Sequence, residues 1–341
     1  MRGRVMELSS WSLGDIWFCI LGLFLVLYVV LDGFDLGIGI ISLFARSEQR
    51  RDMMMASLGS VWDANETWLV VFAGALFGAF PAVYGIVLHG LYIPIILMLF
   101  GLIFRGVAFE FRAHARHKQY WNYCFGGGSL LAASMQGVAL GALIGGIPVE
   151  EMAFNGTVWH WWSPFAVLTA VGVVFGYMLL GATYLIMKTQ GRLQQHARRV
   201  AKITAWLTVA ISLIVSLWTP MRFDYIAQRW LEWPTLLYLA PLPIAAAGSF
   251  LMLLRAIDKG YEHTPFFWSV GIFIFAFIGL VSSFYPFLIP PSVMMANVAA
   301  SNNTLLFMLA GIGLLIPIMI FYNGFQYRVF QGKIKVDDYG N

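Results

Sequence analysis

Residues 15–44 read DIWFCILGLFLVLYVVLDGFDLGIGIISLF, a long apolar run with two aspartates in its second half. About 20 consecutive apolar residues in a helix are enough to cross the hydrocarbon core of a bilayer. Arg2 and Arg4 precede the run as in a signal peptide, but no small-residue cleavage site follows. The run is therefore predicted to be an uncleaved first membrane-spanning helix.

The composition of the whole chain excludes a soluble protein. The 341 residues are 60% hydrophobic and 11% charged, with a mean hydropathy of +0.76, whereas soluble domains are about 25% charged. The apolar stretches are continuous and lack the short alternating segments of an outer-membrane barrel. We therefore predict an all-α integral membrane protein with short loops and no separate soluble domain.

About nine transmembrane helices are predicted, arranged as two four-helix bundles plus one peripheral helix. Their predicted ranges are 15–44, 56–80, 83–104, 120–145, 163–187, 203–218, 236–254, 266–288 and 305–322. We interpret residues 1–341 as a single membrane domain, with bundles at 13–146 and 161–290 and the ninth helix at 304–324. Two small-xxx-small pairs, Gly33 with Gly37 and Gly141 with Gly145, are typical of helix backbones that approach closely.

The basic residues divide unevenly between the two sides of the membrane. With nine spans, 17 of the 21 Lys and Arg residues fall on one side and four on the other. Short loops rich in Lys and Arg stay in the cytoplasm, so we expect the N-terminus outside and the C-terminus in the cytoplasm. The net charge of +4 is interpreted as reporting this orientation and not the binding of nucleic acid.

Acidic side chains cluster in two predicted spans. Asp32 and Asp35 lie in the first helix and Asp63 and Glu66 in the second, each pair spaced i,i+3 and so on one helical face. Ionisable groups at this depth are costly and are functional candidates. Carboxyls that lie close together with little basic compensation hold protons more readily, which favours a proton relay. The alternative is that they lie near the membrane surface, where they cap helices or pair with arginines.

Other polar residues extend this candidate site. Asn65 and Thr67, flanked by Trp62 and Trp68, favour a polar and aromatic pocket beside the acidic residues.

The predicted third helix ends near Arg105 and Glu110, which places both at the membrane interface. Plain anchoring explains them there, and pairing of Arg105 with the first-helix aspartates is the alternative.

The histidines and cysteines do not predict a metal centre in this chain. Of six histidines, only His89 is expected well inside an apolar span, and a bis-histidine haem needs two axial ligands at matching depth. Cys19 and Cys124 lie in separate apolar stretches, with no indication that they pair.

Five motifs together resemble subunit II of the cytochrome bd-type quinol oxidases, including the cyanide-insensitive ones. They occur in the family's order and span nearly the whole chain: LDGFDLGIG at 31–39, WDANETWL at 62–69, FRGVAFEFR at 104–112, GATYL at 181–185 and YPFLIPPSVMM at 285–295.

The resemblance implies a subunit of a bacterial inner-membrane terminal oxidase that oxidises quinol and reduces O2 to water. It implies that haems b and d, or b-type variants, are held by the larger subunit I and that none is ligated by this chain. Subunit I, the quinone pool and lipid are the implied partners. A bound structural quinone and a small single-span third subunit are left open.

Site residues carry over by position. Asp32, Asp35 and Asp63 match acidic positions of a cytoplasmic proton-input route, and Trp62 matches a tryptophan at the mouth of an oxygen path. Glu66 stands where some members have Gln, so it ranks below Asp63 as a proton carrier. Asn65 is assigned to the same pocket as Trp62, whereas interface or structural roles fall to Arg105, Glu110 and Pro286. The stretch 296–304 lacks an acidic residue found in some relatives.

Two other classes of protein remain open from the residues alone. A proton-coupled secondary transporter also places carboxylates in Gly-containing helices, but no inverted repeat is visible and polar residues are sparse in helices five to nine. A purely structural scaffold would leave four clustered carboxylates unexplained.

Overall fold

The computed structural model describes residues 12–59 and 61–334, so Arg2, Arg4 and Lys335 lie outside the described residues. Thirteen α-helices and two small hairpins occur in that part of the chain. The helices are α1 Leu13–Leu43, α2 Glu48–Ala56, α3 Trp62–Ala79, α4 Pro81–Gly90, α5 Tyr92–Arg112, α6 Lys118–Gly145, α7 Pro164–Lys188, α8 Gly191–Arg222, α9 Asp224–Leu231, α10 Thr235–Leu239, α11 Pro241–Asp258, α12 Thr264–Phe284 and α13 Asn302–Val329. The strands are β1 Val149–Glu150, β2 Ala153–Phe154, β3 Phe287–Ile289 and β4 Val293–Met294.

Eight helical segments of the described chain are long and apolar enough to cross a membrane, which confirms an all-α multi-pass membrane protein. The predicted span at 56–80 corresponds to α3, which does not meet that criterion because its first two turns are polar. Its 18 residues span about 27 Å at 1.5 Å per residue, close to the roughly 30 Å thickness of the hydrocarbon core.

Several predicted boundaries are wrong for identifiable reasons. The predicted helix at 83–104 is two helices, since α4 begins at Pro81 and ends at Gly90, and the long span α5 runs to Arg112. The predicted span at 203–218 begins at Gly191, because its first turns are helical but too polar for hydropathy to detect. The predicted helix at 266–288 ends at Phe284, because Pro286 disfavours helical geometry in the residue before it.

Helices α1 and α7 lie at the centre of the helix packing. Helix α1 contacts α3, α6 and α7, and α7 contacts α6, α8 and α12, whereas α13 lies against α1 and α3. The division into two four-helix bundles at 13–146 and 161–290 stays a prediction.

Glycines explain how these helices approach so closely. A Cβ atom added to Gly37 would lie 1.8 Å from the backbone oxygen of Tyr177, and one added to Gly141 would lie 2.5 Å from the Cα of Ala166. At Gly145 the nearest atom, on Phe223, would be at an ordinary 3.8 Å. The expected close approach therefore holds at Gly37 and Gly141, and not at Gly145.

The amphipathic helix α2 is fastened to the ends of α5 and α6 by one arginine. The buried Arg112 guanidinium donates to Asp52 over 2.6 Å, to Glu48 over 2.8 Å and to Asn122 over 2.5 Å. Burial acts to raise the pKa of Glu48, but hydrogen bonds from Asn122 and Arg112 and the charges of Arg51 and Arg112 together lower it below the usual 4.5.

The C-terminal residues are fastened at the same end of the molecule. Lys333 donates to Glu262 over 2.6 Å and to the Thr189 carbonyl over 3.1 Å. The amide of Ile334 donates to the Lys188 carbonyl over 2.9 Å. These bonds join the end of α13 to the end of α7 and to the loop before α12.

Candidate functional site

A buried ion pair between α1 and α5 forms the centre of the site. Arg105 Nη1 donates to Asp32 Oδ1 over 2.5 Å, and the two residues are 2% and 0% exposed. Plain anchoring does not explain Arg105, because its side chain is buried within the protein and α5 continues about two turns beyond it to Arg112. The alternative, pairing with a first-helix aspartate, is confirmed.

Asp35 lies one turn further along α1 and has a different environment. Its Oδ2 accepts a hydrogen bond from Asn65 Nδ2 over 2.8 Å, and both residues are fully buried. Asn65 Oδ1 in turn accepts from the Tyr327 hydroxyl over 2.7 Å. Sequence reasoning missed Tyr327, because the ninth helix was predicted to end at residue 322, before this tyrosine.

Glu66 and Asp63 continue the acidic series toward one end of α3. Glu66 Oε1 lies 3.6 Å from Arg105 Nη2, so one guanidinium lies between carboxylates of two helices. The expectation of little basic compensation is therefore wrong. Asp63, in the first turn of α3, is exposed, which corrects the expectation that all four acidic groups are submerged.

A groove of about 300 Å³ opens at Asp63. Asp63 and Thr67 line it from α3, together with Tyr322 and Gln326 from α13. Trp62 also lines the groove and places its ring 6.0 Å from the Arg105 guanidinium carbon, at the outer limit of a cation–π contact. Trp68 does not line the groove; it is buried against Phe24 at a ring distance of 5.8 Å.

Four buried polar atoms of the site have no protein hydrogen-bond partner within the described chain. They are Asp32 Oδ2, Asp35 Oδ1, Arg105 Nε and Arg105 Nη2. Buried polar atoms in folded proteins are nearly always bonded to protein or to water. Their concentration around one ion pair therefore marks a place with the capacity to bind water molecules.

The remaining candidate residues lie apart from this cluster. Glu110 is exposed on α5. Pro286 follows α12 in the loop opposite the acidic cluster, where its carbonyl accepts from the amide of Met295 over 2.9 Å. The expectation that His89 lies well inside a span is wrong. It is exposed in the last turn of α4, with its ring 5.1 Å from that of Phe154. Residues 12–59 and 61–334 contain no group of three or more His, Cys, Asp or Glu that could hold a metal.

The fold and the cluster define a class of protein: a multi-pass α-helical membrane protein with a cluster of ionisable groups where its first, third and fifth helices meet, of which Asp32, Asp35 and Arg105 are buried. Comparison with known proteins specifies the family. The profile described as "Cytochrome bd terminal oxidase subunit II" matches residues 13–330. The chain therefore belongs to the cytochrome bd terminal oxidase subunit II family, and it is subunit II of a quinol oxidase complex.

Individual relatives agree with this assignment. The chain is 28% identical to "Cytochrome bd-I ubiquinol oxidase subunit 2" of Escherichia coli K12 over 95% of each chain. It is 35% identical to "Cytochrome bd ubiquinol oxidase subunit 2" of Bacillus subtilis over 60% of this chain and 63% of that one. The structure of bd oxidase from Geobacillus thermodenitrificans superimposes on this chain with a TM-score of 0.73, over 92% of this chain and 98% of that one. At 18% sequence identity, this similarity shows a shared fold.

Proposed function

We propose that this subunit supports a haem-bearing subunit I and supplies a route by which protons enter the membrane for O2 reduction to water. The route runs from Asp63 through Glu66 and Arg105 to the two aspartates of α1. The carboxyls exchange protons, and the fixed positive charge of Arg105 offsets the cost of burying them.

The observation that carries the proposal is the set of four buried polar atoms of Asp32, Asp35 and Arg105 that have no hydrogen-bond partner among the described residues. A purely structural ion pair is expected to satisfy its polar atoms within the protein. Buried polar atoms that can bind water support a water-containing path along which protons move between carboxyls and water. The exposed Asp63, beside the groove, supports an entrance at this end of α3.

The protonation of the two α1 aspartates differs in this proposal. Asp32 has a guanidinium at 2.5 Å, whereas Asp35 has an amide donor and no ion pair among the described residues. An unpaired buried carboxylate is costly. In the proposed route, Asp35 is therefore the α1 aspartate to which we assign the exchangeable proton.

The test is the substitution Asp63→Asn, which keeps the size of the side chain and removes its exchangeable proton. We expect an assembled oxidase with slower quinol-dependent O2 consumption, because proton supply becomes limiting. Asp258→Asn, in an exposed pair with Lys202 at the end of α11, is the matched control and should turn over normally. Normal turnover of an assembled Asp63→Asn oxidase would reject the proton route, and loss of haem would point to a structural role instead.

The redox chemistry belongs to subunit I in this proposal, as the family resemblance implies. His89, the one histidine expected well inside a span, is exposed in the last turn of the short helix α4. Quinol protons released on the outer side and protons consumed from the cytoplasm would make turnover electrogenic without a pump. An oxygen path at Trp62 and a structural quinone remain predictions.

We also propose that the Asp63 end of the molecule faces the cytoplasm and the hairpin loops face outside. The anchored helix α2 and the fastened C-terminal residues both lie at the Asp63 end, with most of the Lys and Arg residues. No observation favours the transporter alternative.

A further inference from the structure

Three side chains that the proposed route does not use form a hydrogen-bonded bracket beside Asp32. Gln136 Nε2 donates to the Tyr28 hydroxyl oxygen over 2.7 Å, and the Tyr177 hydroxyl donates to Gln136 Oε1 over 2.7 Å. The bracket, defined as Tyr28, Gln136 and Tyr177, joins α1, α6 and α7. Both tyrosines are only 2% exposed.

The amide in the middle fixes the direction of these hydrogen bonds. An amide has separate donor and acceptor ends. The Tyr177 hydroxyl therefore donates its hydrogen bond to Gln136, and the Tyr28 hydroxyl oxygen accepts one from Gln136. The hydroxyl proton of Tyr28 thus remains to be donated elsewhere. Asp32 follows Tyr28 by four residues on α1, a spacing that places both side chains on one helical face, and the two groups interact electrostatically.

Close packing holds the bracket in place. A Cβ atom added to Gly33, the residue after Asp32, would lie 2.8 Å from Cε1 of Tyr177. The Tyr177 ring is therefore packed directly against the backbone of α1 beside Asp32. Such contacts leave the bracket little freedom to rearrange.

We propose that Tyr28, Gln136 and Tyr177 are positioning residues that hold Asp32 as a fixed anion against Arg105. Asp32 then serves as a permanent counter-ion, and the buried Asp35 and the partly exposed Glu66 are the carboxyls that exchange protons. The proposal rests on the proton route of the previous section and assigns different roles to acidic residues within it. The Arg105 guanidinium lies 2.5 Å from one carboxylate oxygen of Asp32, and in this proposal the Tyr28 hydroxyl serves the other.

The experiment uses the infrared spectrum of the intact oxidase complex, in the region where protonated carboxyl groups absorb. In the otherwise unchanged protein, Asp32→Asn should remove no band from this region. In a Gln136→Leu background, which loses both hydrogen bonds of the amide, one new carboxyl band should appear, and Asp32→Asn should remove it. Ser129→Ala is the matched control, because this buried α6 hydroxyl bonds only within its own helix, to the Phe125 carbonyl; no new band is expected.

Tyr28→Phe provides a second, smaller change should Gln136→Leu not assemble, and the same new band is expected. A band removed by Asp32→Asn in the unchanged protein would overturn the proposal, as would unchanged spectra of both bracket variants. If Asp63→Asn slows turnover while the bracket variants show no Asp32 band, only the positioning role fails. Normal turnover of Asp63→Asn would instead reject the route itself.

Discussion

Arg105 is the residue on which the energetics of the buried site depend. Removing a charged group from water costs several kcal/mol, and a partner offsets that cost only at close range. Asp32 lies within such range at 2.5 Å and Glu66 further away at 3.6 Å. The sequence indicated which carboxylates lie within membrane-spanning helices, because the apolar residues around them are neighbours in the chain. It left the identity of their counter-ion open, because pairing across 73 residues depends on how α1 and α5 pack.

At this scale we expect Arg105→Leu to destabilise the oxidase by about 3–5 kcal/mol, because it leaves Asp32 buried without a counter-ion. Adding Asp32→Leu should restore most of the loss, since the fully buried carboxylate is then gone and Glu66, whose side chain is 27% exposed, remains in reach of water. The measurement is the midpoint of thermal unfolding of the purified complex. Arg116→Leu, in the exposed loop after α5, is the control. A double variant no more stable than Arg105→Leu would contradict this explanation.

Among the helices, the pair α1 and α7 shows what a sequence motif can and cannot indicate. The spacing of Gly33 and Gly37 predicts a close helix crossing, and α7 is the helix that α1 meets there. Gly181 contributes from the other side, since its added Cβ would lie 2.6 Å from the amide nitrogen of Ile38. The sequence therefore predicted the type of contact, and only the packing identified the partner helix.

For this helix pair we expect Gly37→Ala to prevent or severely weaken assembly. The added methyl group would lie 1.8 Å from a backbone oxygen, and a backbone cannot move aside as a flexible side chain can. Overpacking usually costs about 1–3 kcal/mol of stability, and we expect the upper end of that range, about 3 kcal/mol or more, for this variant. The yield of haem-containing complex in membranes measures it. Gly248→Ala in α11, where an added Cβ meets nothing within 4 Å, should assemble normally; equal yields from both variants would argue against close packing at Gly37.

Across the whole molecule, one end carries most of the polar fastening. Arg112 ties α2 to α5 and α6, Lys333 ties the end of α13 to the loop before α12, and Lys202 pairs with Asp258 between α8 and α11. The groove at Asp63 opens at this same end. A cytoplasmic position of this end would supply the proposed route with protons from the cytoplasm.

We expect a reporter enzyme that is active only outside the cytoplasm to be inactive when fused after Asn341. The same reporter inserted after Gly156, in the loop between β2 and α7, should be active, since five candidate spans lie between the two positions and an odd number of crossings puts them on opposite sides of the membrane. Enzyme activity in intact cells is the measurement. The reverse pattern would place Asp63 outside and remove the cytoplasmic proton source from the proposed function.

The sequence by itself determined the class of this protein, because the cost of exposing polar groups to lipid leaves long apolar helices as the workable solution, and that pattern is local. It also identified the acidic residues and the family motifs. Only the tertiary structure decided that Arg105 neutralises Asp32, that Tyr327 reaches Asn65, and that Gln136 links two tyrosines beside the ion pair. Those contacts join residues far apart in the chain, and their geometry depends on helix crossings and helix ends that hydropathy does not specify.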